Sequence, residues 1–146
     1  MASQPPTTTV FETMSALARQ LGAINLGQGF PEMEEPPELI AAAQSRGIGV
    51  SLAPAVTPLL SREKIFWMKE IGIQAISLSL DGSDAAFHDG VRMVPGTFDA
   101  TLEALDIAAE AGLPVQVNTL VTATTAADLP AIHDLLSTHT LEQWSL

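Results

Sequence analysis

Apolar residues along this chain switch from one period to another. In the first stretch they recur at helical spacing, with Phe11, Met14, Leu17, Ala18 and Leu21 on one stripe. Thr9 and Glu12 have capping-box spacing, in which a hydroxyl and a carboxylate satisfy the first N–H groups of a helix, and Gly22 follows as its stop. Gly27 to Pro31 and the acidic, proline-rich run to Glu38 read as loop. Pro36 and Pro37 suit the first turn of a short helix ending near Gln44, with Gly47 beyond it. After Gly47 the strand period takes over. Ile48–Ala53 is a short apolar run, and in Gln74–Leu80 the residues Ile76, Leu78 and Leu80 alternate with Ser77 and Ser79. Val115–Val121 and Leu141–Leu146 supply a third and a fourth strand.

Helical segments fill the intervals. One opens at Thr57, Pro58 and Ser61 and runs to about Ile71, where Gly72 stops it. A second is capped by Thr97, carries Phe98, Leu102, Leu105 and Ala109 as its stripe, and closes at Gly112. A third is capped by Asp128 and runs to about Thr138. Asp81 to Gly96 reads as a long polar connection. The fold class is therefore α/β: four parallel β/α units, as a TIM-like half-barrel or an open sheet, behind an N-terminal helical arm. Four units do not close an eight-stranded barrel, so strand edges stay bare, and a homodimer that pairs those edges is the expected assembly.

Composition narrows the chemistry. The 146 residues carry 17 Asp and Glu against 6 Lys and Arg, a net charge of −11, which disfavours nucleic acid and anionic membranes as partners. There is no cysteine, so this chain's own residues offer no disulfide, thiolate zinc site, cysteine nucleophile or iron–sulfur ligand. No apolar run reaches the ~18 residues of a spanning helix. The opening MASQPPTTTV has neither a basic nor an apolar signal region, so the cytoplasm is the expected location.

In parallel α/β folds, sites form beyond the carboxyl ends of the strands. Asp81, Asp84, His88 and Asp89 follow the second strand and are the candidate catalytic set, with His133 as a further metal ligand. Imidazole and carboxylate together suit zinc or manganese, whose bound water attacks an ester or phosphoester; a small divalent-metal-dependent hydrolase is one expectation. Against it, the spacing matches no established ligand pattern, and Asp81-Gly82 with Ser83-Asp84 equally makes a turn. His133 and His139 lie six residues apart, nearly opposite on an unbroken helix, and do not chelate one ion. There is no Gly-x-Ser-x-Gly elbow, and Gly47-Ile48-Gly49 is too short for a phosphate loop.

Two resemblances follow from longer motifs. Met14-Ser15-Ala16-Leu17-Ala18 and Gly22 to Pro31, within residues 10–44, resemble the N-terminal arm of a class I pyridoxal-phosphate aminotransferase. Residues 50–146 resemble the middle of a radical S-adenosylmethionine barrel, its third to sixth strands. The motifs are Thr57-Pro58-Leu59-Leu60, Ser77 to Asp84, His88-Asp89 with Arg92, Pro95 to Asp99, and Val115 to Thr119. The chain then divides at 46/47 into an aminotransferase-like arm and a half-barrel. The second resemblance implies that Ser79, Asp81 and Asn118 face S-adenosylmethionine, which makes Ser79 and Asn118 the expected cofactor-binding residues. The three-cysteine loop of that family is missing, and neither Lys64 nor Lys69 sits where the first family carries its Schiff-base lysine. A recombined barrel segment with no cluster of its own and no pyridoxal phosphate is the resulting expectation. For that segment the small, promiscuous metal-dependent hydrolase is the leading expectation, and the alternative is a non-catalytic remnant that self-associates and weakly binds an adenosine-like ligand.

Overall fold

The computed structural model describes residue 20 and residues 37–146; the capping box at Thr9, the helical stripe to Leu21 and the Gly27–Pro31 loop lie outside the described residues. Residues 37–146 form one compact unit. Its elements are α1 (Pro37–Gln44), β1 (Ser51–Leu52), α2 (Arg62–Glu70), β2 (Ala75–Ser79), α3 (Ala85–Arg92), α4 (Thr97–Glu110), β3 (Val115–Asn118), a 3-10 turn (Ala126–Asp128), α5 (Leu129–Leu136) and β4 (Gln143–Ser145). The strands pair in chain order, β1-β2-β3-β4, and every pair is parallel. Among the described residues no helix is long and apolar enough to cross a membrane.

The period-2 pattern of the strands decides where the helices go. Ile76 and Leu78 of β2, with Val115 and Val117 of β3, point to one side. There they join Ile65 and Met68 of α2, Leu105 and Ala108 of α4, and Ile132 and Leu136 of α5 in one buried cluster. Ile40 of α1 belongs to the same cluster. The alternate residues Ser77, Ser79, Gln116, Asn118 and Ser145 stay half-buried on the other side. A doubly wound sheet buries apolar residues on both faces; here one face is apolar and the other polar, as in a segment of barrel wall.

The local signals explain most boundaries. Ser61, in extended backbone, accepts from the Lys64 N–H and starts α2, and Gly72 ends that unit at φ +83°. Four expectations are corrected. The connection from Asp81 to Gly96 contains a helix, α3, which Asp84 starts by accepting from the Phe87 N–H. Thr97 is the first residue of α4 and not its cap. Gly96 occupies the cap position without a side-chain bond, and Asp89 of α3 supplies the acceptors instead. Asp128 precedes α5 but does not cap it, because its carboxylate is taken by Ser83. The buried stripe of α4 is Phe98, Thr101, Ala104, Leu105 and Ala108, so Ala109 falls outside it.

Candidate functional site

The carboxyl ends of β2 and β3 are tied together by Asp81, which is buried at 2% exposure. Its Oδ1 accepts from the Leu120 N–H at 2.8 Å, its Oδ2 lies 2.6 Å from Arg92 Nη2, and its own N–H donates to His88 Nδ1 at 3.0 Å. That last bond leaves the proton of a neutral His88 on Nε2. Burial pushes the His88 imidazole below its usual value of 6.5, the Arg92 charge adds to this, and the Asp81 and Asp89 carboxylates oppose it. Gly82 is obligatory beside this network, because a Cβ there would sit 2.7 Å from the His88 backbone nitrogen.

α3 acts as a clip between neighbours. Asp89 accepts from the Gly96 N–H at 2.6 Å, the Phe98 N–H at 2.8 Å and the Thr97 hydroxyl at 3.0 Å. Desolvation raises the Asp89 pKa, but these three donors outweigh it and hold the carboxyl below its usual 3.8. Ser83 donates through both N–H and hydroxyl to Asp128, which fastens the loop after β2 to the loop after β3. Thr119 donates to the Leu80 carbonyl and accepts from Trp144 Nε1.

The four residues expected to hold a metal therefore have separate duties. Asp81 pairs with Arg92, Asp84 starts α3, His88 holds the Asp81 N–H, and Asp89 caps α4. His133 is exposed on α5 beside Asp134, with its ring 6.2 Å from that of Trp144. Among the described residues no group of three or more His, Asp or Glu is placed to hold an ion. The expected zinc or manganese centre, and the hydrolase built on it, find no support in these residues.

The expected binding residues do come together. Register places Ser79 beside Asn118 and Asn118 beside Ser145, with Ser77, Gln116 and Gln143 as a second row. Asn118 Nδ2 donates to Ser77 Oγ at 2.7 Å, and Gln116 Nε2 donates to Asn118 Oδ1 at 2.8 Å and to Ser145 Oγ at 3.2 Å. The result is a hydrogen-bonded polar strip on the face opposite the apolar cluster. Ser79 also lines a cleft of about 240 Å³ with Thr57, His88, Arg92 and Thr101. Sequence reasoning missed Gln116 and Ser145 as members of the strip, although the alternation Val115-Gln116-Val117-Asn118 already placed Gln116 on that face.

The profile of the radical SAM superfamily matches residues 4–136. The chain belongs to the radical SAM superfamily. It is 41% identical over 85 residues to the AdoMet-dependent heme synthase of Nitratidesulfovibrio vulgaris, covering 58% of this chain and 23% of that protein. It is 35% identical over 109 residues to the Fe-coproporphyrin III synthase of Methanosarcina barkeri, covering 74% of this chain and 27% of that protein. A shorter stretch of 41 residues is 58% identical to the probable N-succinyldiaminopimelate aminotransferase DapC of Mycobacterium tuberculosis, covering 28% of this chain and 10% of that protein. The chain thus spans about a quarter of the length of the radical SAM relatives it matches.

The cluster that the superfamily implies does not fit the residues present. Three thiolates hold such a cluster, and the chain has no cysteine. The two lysines have other contacts: Lys64 Nζ lies 3.9 Å from the Trp67 ring centroid, and Lys69 donates to the Gly112 carbonyl.

Proposed function

We propose that this chain is a recombined segment of a radical SAM barrel wall that binds an adenosine-like ligand on its polar strip and performs neither radical cleavage nor transamination by itself. One observation carries the reading: Ser77, Gln116, Asn118 and Ser145 form a hydrogen-bonded strip on the face opposite the apolar cluster. Hydroxyls and carboxamides there offer both donors and acceptors, which suits a ribose edge or an adenine amine. The absence of thiolates separates binding from chemistry, because the reductive step needs iron that these side chains do not hold. The short strands β1 and β4 end the sheet on its two sides, and self-association through those edges belongs to the same reading. The heme and coproporphyrin reactions in the relatives' names belong to proteins about four times longer than the matched stretch.

Titration with S-adenosylhomocysteine, followed by calorimetry, tests the binding. Saturable binding that Asn118→Ala weakens about fivefold is the expected result, the loss of one hydrogen bond of ordinary strength. Anaerobic reconstitution with iron and sulfide tests the second half; an absorbing cluster, or 5′-deoxyadenosine released under reductant, overturns the proposal. Light scattering at micromolar concentration is expected to give a dimer.

A further inference from the structure

Next to the Ser79 cleft, with which it shares Val56, Thr57, Val94 and Thr97, a groove of about 480 Å³ runs between the segment before α2 and the start of α4. Its walls are largely aliphatic, with Val56, Leu60, Val94, Ala100 and Ile107, interrupted by three hydroxyl side chains. Three large apolar side chains stand in water at or beside its rim: Leu59 at 85% exposure, Met93 at 83% and Val94 at 52%. Met93 is also the only non-glycine residue with positive φ among the described residues, at +59°, a conformation that disfavours an L side chain. Met93 takes that conformation as the C-cap of α3, so the exposed apolar surface is what marks the groove as a ligand site.

Charge selects the ligand. Two ionisable side chains line the groove, Arg62 and Glu103. Arg62 is committed to an ion pair with Glu110 and rests over the Phe66 ring at 5.0 Å. Glu103 takes no part in the ion pairs found among the described residues. Among the described residues the groove therefore presents largely aliphatic walls, the hydroxyls of Thr57, Ser61 and Thr97, and one carboxylate outside those ion pairs, within a chain of net charge −11. We infer that it binds an organic amine carried on an apolar body, with the ammonium at Glu103 and the body between Val94 and Ile107. The amine is a ligand distinct from the adenosine-like one of the polar strip, and its recognition does not rest on that reading.

The test uses three probes with one body and different heads: 4-phenylbutylamine, 4-phenylbutanol and 4-phenylbutyrate, each titrated into the whole chain by NMR. A half-screened ion pair gives the amine about a fivefold advantage over the alcohol, and the acid binds most weakly. Glu103→Gln is expected to erase the amine's advantage and leave the alcohol unchanged. Ala100→Trp fills the groove and is expected to abolish binding of all three while S-adenosylhomocysteine binding persists. Val94→Lys, at an exposed position that tolerates change, is expected to lower amine binding about fivefold. Equal binding of amine and acid, no binding of any probe at millimolar concentration, or an amine affinity indifferent to both Glu103→Gln and Val94→Lys overturns the inference.

Discussion

The two faces of the same four strands are held by different physics. On one, Leu78 and Val117 meet helices in a cluster from which water is excluded; on the other, Ser77 and Asn118 meet through a hydrogen bond and remain half open to solvent. Burial of an aliphatic side chain is non-directional and contributes in proportion to area, whereas a hydrogen bond contributes little net stability but fixes orientation. The comparison teaches that one face sustains the fold by burial while the other fixes the orientation of its polar groups.

Substitutions break that contrast in order of size. Leu78→Ala, at a position with no exposure, is expected to cost about 2–5 kcal/mol, from lost transfer free energy plus a cavity, read as a lower urea midpoint. Gly82→Ala follows at about 1–3 kcal/mol, since its methyl collides with backbone and no flexible tip is there to yield. His88 sharpens the comparison through pH. Its folded pKa lies below 6.5, so the neutral form stabilises the fold. That contribution is whole above pH 6.5 and declines as pH falls through the lowered folded value. His88→Leu is expected to flatten stability between those two pH values, measured by urea melts across the acid range. Asp89 acts with the same sign at lower pH: its contribution is whole above 3.8 and is lost as pH falls through its depressed value. Asp89→Ala is expected to remove that acid step and to expose the first amides of α4 to faster hydrogen exchange. Asn118→Ala comes last, with stability changed by about 1 kcal/mol and the main loss in ligand affinity.

Much of this was legible in the chain. The alternation in Gln74–Leu80 and Val115–Asn118 placed both strands and sorted their faces, because a period of two is a property of extended backbone. Glycines at 47, 72 and 112 marked ends of units at positive φ. What local pattern did not contain was the capping of α4. An N-cap signal is sought beside the helix, yet the acceptor at Gly96 and Phe98 comes from Asp89, seven and nine residues back, across a turn. The same distance effect misdirected the metal reading. Asp81, Asp84, His88 and Asp89 are close in sequence and chemically suited to an ion, but each is claimed by a backbone donor or by Arg92. The ion pair of buried Asp81 with exposed Arg92 joins residues eleven apart across a turn and a helix, a geometry that spacing alone does not fix.

Gln44, the last residue of α1, sends its side-chain amide to the Ile71 carbonyl at 2.9 Å and the Gly72 carbonyl at 3.0 Å. It thereby quenches the trailing end of α2, twenty-seven residues downstream. A protein engineer who trims the chain at Gly47, in order to graft the strands into another scaffold, would strip that plug and leave the oxygens to water. Cutting ahead of Pro37 keeps the seal with the piece it serves.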